Sequence, residues 1–170
     1  MGIPELALLL AGFALAHAAW SISDVPSGEL LTPLSVTATS EGAPVQIMRY
    51  EAETQAEAIE KGKAATTVIG RTGEPWAFAR EGLLPENGTK VDVLVVDFWG
   101  PGMNAPITVL QRFRPAWAPD GFRLIGSPIV TIDGRPQPDS ALAPLLEGIR
   151  DGVRQHTKAG PLWDAWHARE

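Results

Sequence analysis

Asp97 is the residue whose position points most directly to chemistry. It lies on the valine-rich side of a strand that we predict over residues 91–99. A carboxylate buried in apolar surroundings is strongly unfavourable unless it is paired or hydrogen-bonded. Asp97 therefore lies either at the wet end of this strand or in a buried polar site, where a neighbouring His17 would allow acid–base catalysis. The partners that the sequence offers Asp97 are His17, Arg49, Arg112 and Arg114.

Arg112 and Arg114 form the second candidate site. They share one face of a strand predicted over residues 107–114. Two guanidinium groups on one face of a sheet can hold an anionic ligand through bidentate hydrogen bonds. The alternative is ion pairing with Asp92 and Glu51 on a solvated face. Both interpretations stay open at the level of sequence.

Metal and cofactor sites have no local signature. The chain has no cysteine, and its three histidines, His17, His156 and His167, do not show the spacing of metal ligands. The glycine-containing segment 100–106 lacks the lysine of a phosphate-binding loop, and no serine lies in a Gly-x-Ser-x-Gly turn. We therefore expect no metal and no cofactor.

Tryptophans and one methionine suggest a surface for a protein partner. The chain has six Trp but one Tyr, and several of the Trp fall in predicted loops or near the end of the chain. Exposed Trp and Met side chains are favoured at protein contacts. The candidate partner-binding residues are Trp99, Met103, Trp117, Trp163 and Trp166.

The N-terminal region contains the most hydrophobic run of the chain, residues 6–16, and no Lys or Arg precedes Arg49. A secretory signal would explain the run and the cleavage-like triplet Ala16-His17-Ala18, but its basic start is missing. A membrane span needs about 20 apolar residues. A buried helix that begins near Pro4 and Glu5 agrees best with helix-start preferences. We therefore expect a cytoplasmic protein. The alternative is export or membrane tethering through residues 1–20, and the hydrophobicity of residues 6–20 leaves contact with a membrane open.

The same run is apolar on every side of a helix. Such a helix has to be covered on both sides, either within the monomer or by a partner chain. This observation, together with the Trp and Met residues, favours a homo-oligomer or a protein partner. A net charge of −6 offers nothing to neutralise phosphates and argues against nucleic acid.

The length of 170 residues and the pattern of strands and helices predict one α+β domain over residues 1–170. An antiparallel sheet of five or six strands is expected, with hairpin turns at 41–44 and 85–88 and, at 126–128, either a bulge or a sheet edge. In the hairpin across segment 100–106, we expect Trp99 to pair with Ile107. The predicted parts are an apolar helix in 1–24, mainly sheet in 29–133 with an inserted helix near 54–67, and helices in 139–170.

Two functions compete on this evidence. The first is a non-enzymatic protein-interaction module or accessory subunit that associates with itself. The alternative is a small-molecule-binding protein or enzyme with a Trp-lined pocket that uses Asp97 and an arginine. The first predicts a flat apolar patch with Trp or Met, whereas the second predicts a concave pocket into which Asp97 projects.

Overall fold

The computed structural model describes residues 3–38 and 45–167, so the turn predicted at 41–44 lies outside the described residues. The chain forms an α+β fold. Its helices are α1 (Glu5–Ile22), α2 (Gln55–Arg71), α3 (Asp139–Gln155), a 3-10 turn (Gly160–Leu162) and α4 (Trp163–Trp166).

Within the described residues, seven strands form one antiparallel sheet in the order β2-β1-β3-β4-β5-β6-β7. The expected count of five or six is slightly too low, because Arg135–Pro136 folds back and pairs with the end of the preceding strand. The strands are β1 (Leu34–Ala38), β2 (Val45–Arg49), β3 (Trp76–Glu86), β4 (Thr89–Trp99), β5 (Ile107–Arg114), β6 (Arg123–Ile132) and β7 (Arg135–Pro136).

Helix α1 is the central element of the hydrophobic core. It lies on one face of the sheet, called here the inner face, and contacts β1, β3 and β4, while α3 packs on it as well. Most of its apolar residues are therefore covered within the chain, with Leu6 the exposed exception, which explains why the helix is hydrophobic almost all round. By length and composition α1 qualifies as a membrane span, yet 67% of that window is buried inside the protein.

Glycines allow α1 and α3 to meet backbone to backbone. A Cβ atom added at Gly12 would lie 1.9 Å from the carbonyl oxygen of Ile149, and one added at Gly152 would lie 2.2 Å from that of Leu9. No other residue type fits at either position without moving a helix. The small side chains of this contact thus fix how closely α3 can approach α1.

The opposite, outer face of the sheet is covered in part by α2, which packs on β3 and β1. The helix begins where the sequence predicts, because the Thr54 side chain accepts a hydrogen bond from the Glu57 amide. The ring of Phe78 lies against Gly62, where an added Cβ would come within 2.1 Å of it. Beyond α2, residues of β5 such as Leu110 remain partly exposed.

The pairing of β4 with β5 differs from the expected register by one residue. Phe98, rather than Trp99, pairs with Ile107, so Asp97 lies opposite Thr108. The indole Nε1 of Trp99 donates a hydrogen bond to the Met103 carbonyl at 3.0 Å, which makes Trp99 part of the loop closure.

The bulge predicted at 126–128 is present, as a register shift in the pairing of β6 with β5. Gln111, which is fully buried on the inner face, fills the irregularity. Its side-chain amide donates to the carbonyls of Ile125 and Gly126, both at 3.1 Å. Gly126 itself has a φ of 67°, a conformation that favours glycine.

Candidate functional site

Asp97 lies on the outer face of the sheet in an ion pair that the sequence did not suggest. Its carboxylate accepts hydrogen bonds from the Arg80 guanidinium at 2.6 Å and from the Thr108 hydroxyl at 2.5 Å. The side chains of Arg80 and Asp97 are only 18% and 20% exposed. The partner is thus none of the four residues expected, because Arg80 reaches Asp97 only through the register of β3 against β4.

Arg112 and Arg114 are paired with separate carboxylates. Arg112 lies 3.0 Å from Glu86, and Arg114 lies 3.9 Å from Asp120. Neither pairs with Asp92, because the actual register of β5 differs from the expected one. The two guanidinium groups therefore do not converge on one anion site in this structure.

His17 is buried between α1 and α3, with its Nδ1 atom 3.0 Å from Nε2 of His156. The Ala159 backbone N–H donates to Nδ1 of His156 at 2.9 Å. The proton of neutral His156 must therefore lie on Nε2, which donates to His17. The remaining proton of His17 lies on Nε2, a buried atom with no hydrogen-bond partner.

The environment of this pair keeps both imidazoles neutral at pH 7. Burial, then His156 and Arg49, lower the pKa of His17 from 6.5 to about 4. Burial and the charge of Lys158 lower the pKa of His156 as well. Asp97 lies on the other face of the sheet, so the acid–base pair considered from sequence is not assembled.

The two histidines are not arranged to share a metal ion. Nε2 of His156 holds a proton in the tautomer that Ala159 imposes, and a protonated nitrogen does not bind metal. Across the described parts of the chain, no group of three or more His, Asp or Glu side chains converges as a ligand set.

Most of the side chains expected to meet a partner are engaged within the monomer. Met103 closes the loop with Trp99 through its carbonyl oxygen and, through its sulfur, accepts from the Gly100 amide. Trp163 and Trp166 pack against the core. Trp117 is the largely exposed member of the set, at 44%.

A cleft that the sequence did not reveal lies between α3, α4 and the bulge of β6. We call it the α3–α4 cleft; its volume is about 380 Å³. Its apolar wall comes from α1, α3 and α4, and its polar rim comes from α3, from α4 with the residue that follows it, and from the bulge. The wall consists of Leu15, Leu146, Ile149, Val153 and Trp163, and the rim consists of Ser127, Arg150, Asp164 and His167.

One rim residue has a defined orientation. Nδ1 of His167 lies 3.0 Å from the carbonyl oxygen of Trp163. A carbonyl oxygen can only accept, so this nitrogen carries the proton. Nε2 of neutral His167 is consequently an acceptor. The rim thus offers a donor in Arg150 and acceptors in Asp164 and His167.

A second cleft, of about 330 Å³, lies by the C-terminal end of α1 and is lined by Trp20, Asp24, Glu29 and Arg49 among others. It lies largely among loop residues 23–32, and it exposes less apolar and more polar surface than the first cleft. The α3–α4 cleft is therefore the stronger candidate for a ligand.

Comparisons with models of protein families, with curated proteins and with solved structures find no match to this chain. The function must accordingly be argued from the geometry of the chain itself.

Proposed function

We propose that this protein binds a small amphipathic molecule in the α3–α4 cleft. The observation that supports the proposal is the cleft itself, which combines a volume of about 380 Å³ with an apolar wall and a few polar groups at its rim. Binding sites for small molecules have this combination, in which apolar surface supplies affinity and a few polar groups orient the ligand.

The rim indicates the chemistry of the ligand. The Arg150 guanidinium suits an anionic group such as a carboxylate or sulfonate. Asp164 and Nε2 of His167 suit an N–H or O–H donor on the same molecule. Ile149, Val153 and Trp163 would contact its aliphatic or aromatic body.

The proposal is for binding rather than catalysis. Asp97 and Arg112, which the sequence suggested for chemistry, are held in ion pairs on the outer face of the sheet. His17 lies outside the wall and rim of the cleft and is engaged with His156.

Titration with the dye 8-anilinonaphthalene-1-sulfonate tests this function, because the dye has an aromatic body, a sulfonate and an N–H donor. We expect saturable binding with one dye per chain. Arg150→Gln should weaken binding, and Ser127→Trp should abolish it by filling the cleft. Arg154→Gln, on an exposed part of the same helix, is the matched control and should bind as the wild type does.

Two results would contradict the proposal. One is equal dye affinity in the wild type and in Ser127→Trp. The other is an equal loss of affinity in Arg150→Gln and Arg154→Gln, which would indicate a general charge effect. A native mass spectrum of the full chain, recorded alongside, reports any small molecule retained from the cell.

A second candidate function, self-association, is favoured by one specific observation. Strand β2 ends the sheet, and its residues 46–49 are all exposed. Ile47 is 36% and Met48 is 54% exposed. An unpaired strand edge is a template for another strand. Antiparallel pairing of two copies centred on Ile47 would place Gln46 opposite Met48, so we propose a second copy of this chain as the occupant.

The copy number in a native mass spectrum tests this candidate. We expect a dimer that Ile47→Lys disrupts, because the two added charges would lie directly opposite each other at the centre of the new strand pair. Val68→Lys, at a site on α2 that is 58% exposed, is the control and should leave the dimer intact. A wild-type protein that is monomeric at all concentrations tested would reject the interface.

We also propose that the protein is cytoplasmic. The support is the position of α1, which packs on the sheet and on α3; removal of residues 1–18, as by cleavage after Ala18, would take most of it away. The intact mass of protein recovered from cells checks this, and loss of these residues would contradict it.

A further inference from the structure

The histidine pair lies at the base of the segment that forms one side of the α3–α4 cleft. His156 caps the C-terminal end of α3, and three residues later the Ala159 amide donates to its ring. The Gly160 amide also donates to the His156 carbonyl at 2.9 Å. Directly after this turn come the 3-10 turn and α4, which contribute Trp163, Asp164 and His167 to the cleft.

The two sites also share packing. Val153 lines the cleft and belongs to the small cluster that it forms with Ala16 and Ala159, against which Trp163 packs. Ala159 is fully buried. A displacement of the turn at Ala159 would therefore move Trp163 and the wall of the cleft with it.

Two hydrogen bonds link Ala159 to His156 and His156 to His17, and we call this arrangement the histidine relay. We propose that the relay is an acid-sensitive latch: it holds α4 over the α3–α4 cleft, and protonation of the relay releases the ligand of the cleft. This inference rests on the function proposed above, because it describes the regulation of the same cleft.

The hydrogen bonds of the relay explain the latch. Every acceptor in it is an unprotonated imidazole nitrogen. A proton added to Nδ1 of His156 would face the Ala159 N–H across 2.9 Å, and one added to Nδ1 of His17 would face the His156 N–H across 3.0 Å. In either case two donors oppose each other, so a hydrogen bond is replaced by repulsion and the turn loses its anchor.

Burial and nearby charges set the pH range in which the relay takes up a proton. Arg49 on β2 acts on His17, and Lys158 in the turn acts on His156. Burial is the larger cause at both rings and opposes protonation, as do these two cations. The rings of Phe13 and Trp20 lie 5.0 and 6.0 Å from that of His156. The pKa of His17 is about 4 in the closed structure and would return to its ordinary value of 6.5 on opening. Protonation therefore favours the open state increasingly as the pH falls below 6.5.

Hydrogen exchange of residues 160–167 in the full chain, without ligand, tests the latch itself. After correction for the intrinsic pH dependence of exchange, we expect protection of these amides to fall by about tenfold or more between pH 7 and pH 5, the change that corresponds to one pKa unit between closed and open states. The amides of β4, whose exchange requires unfolding of the whole domain, serve as an internal reference and should stay better protected than residues 160–167 at both pH values.

The double variant with His17→Asn and His156→Asn removes both titrations. An Asn oxygen at position 156 can replace Nδ1 as the acceptor from the Ala159 N–H. The shorter side chain does not reach the position of Nε2, so the hydrogen bond to residue 17 is lost at both pH values. We expect this variant to show the same protection of residues 160–167 at both pH values, whereas His167→Gln, which leaves the relay intact, should keep the acid response. Unchanged protection in the wild type, or an acid response that survives in the double variant, would overturn the latch.

Dye titration at the same two pH values separates this inference from the proposed function. The wild type should lose affinity for 8-anilinonaphthalene-1-sulfonate in acid, and the double variant should not. Failure of the wild type to bind dye at pH 7 would overturn the proposed function, while the exchange experiment would still decide on the latch. Tight dye binding at pH 5 together with an open α4 would overturn the coupling between them.

Discussion

The inner and outer faces of the sheet are covered in different ways. On the inner face, α1 lies between the sheet and α3, and the two helices meet through glycines with no space for a side chain. On the outer face, α2 covers β1 and β3, and beyond it the surface is occupied by the ion pairs of Arg80 with Asp97 and of Arg112 with Glu86.

The polar groups of the two faces differ accordingly. On the inner side the most deeply buried polar groups are neutral, namely the imidazoles of His17 and His156 and the amide of Gln111. A carboxyl group is also bonded there, that of Glu81, which accepts from the Leu31 amide and whose pKa is raised by burial. The outer side holds charges that are partly hydrated. Added volume or charge should therefore reduce stability most where α1 meets α3 and much less on the open half of the sheet.

The largest effect should come from Gly12→Val. The new side chain would collide with the backbone of Ile149, which cannot move without displacing α3. We expect a loss of about 4 kcal/mol or more in the free energy of unfolding, or no folded protein. Denaturant unfolding followed by circular dichroism measures it.

Gly70→Ala is the matched control on the outer face. Its new Cβ would meet the Trp76 side chain at 3.0 Å rather than backbone. We expect a change within about 1 kcal/mol, since a gain in helix propensity offsets the tight contact. A Gly12→Val protein as stable as Gly70→Ala would refute the contrast between the two faces.

The second-largest effect should be a loss of stability in acid. The pKa of His17 is lower in the folded protein, about 4, than its ordinary value of 6.5, so the unfolded state takes up this proton first. Stability is then complete above pH 6.5 and decreases as the pH falls toward 4, by on the order of 3 kcal/mol from His17. The lowered pKa of His156 acts in the same direction.

The difference between the wild type and His17→Asn isolates this effect in unfolding curves recorded across the same pH range. The comparison is needed because Glu81 and Asp92, whose pKa values are raised by burial, stabilise the folded state in acid and act in the opposite direction. Equal pH dependence in both proteins would mean that His17 does not titrate as inferred.

The smallest effect concerns the ion pair of Arg80 with Asp97. Its side chains are about one-fifth exposed, and charge-assisted hydrogen bonds in such settings contribute about 1–2 kcal/mol. We expect Asp97→Asn to cost that amount. Asp151→Asn, which breaks the exposed pair with Arg154, should cost less than about 0.5 kcal/mol. Thermal unfolding of both variants checks this, and equal losses would contradict the difference in burial.

Local signals in the sequence predicted local structure well. The start of the inserted helix near residue 54, the Asn87-Gly88 turn with φ of 51° and 80°, and the bulge at 126–128 are all present. Each depends on residues a few positions apart, where backbone preferences and short hydrogen bonds decide the conformation. The apolar N-terminal run also forms the covered helix that its pattern favoured.

Features that depend on distant pairing were not predictable in the same way. Arg80 meets Asp97 only because of the register between β3 and β4. The predicted register between β4 and β5 differs from the observed one by one residue, because Trp99 closes the loop instead of pairing with Ile107. The α3–α4 cleft combines residues from Leu15 to His167. No spacing in the sequence shows such a site, since its members share no helix or strand.

The central place of α1 has a consequence for the order in which the chain is made. The contact between His17 and His156 spans 139 residues, so α1 leaves the ribosome long before α3 exists. At about 5–20 residues per second, this interval is on the order of ten seconds. During this interval the apolar helix α1 is not yet covered by α3, and such an exposed segment is what chaperones bind. Helix α1 is thus synthesised long before it can be enclosed.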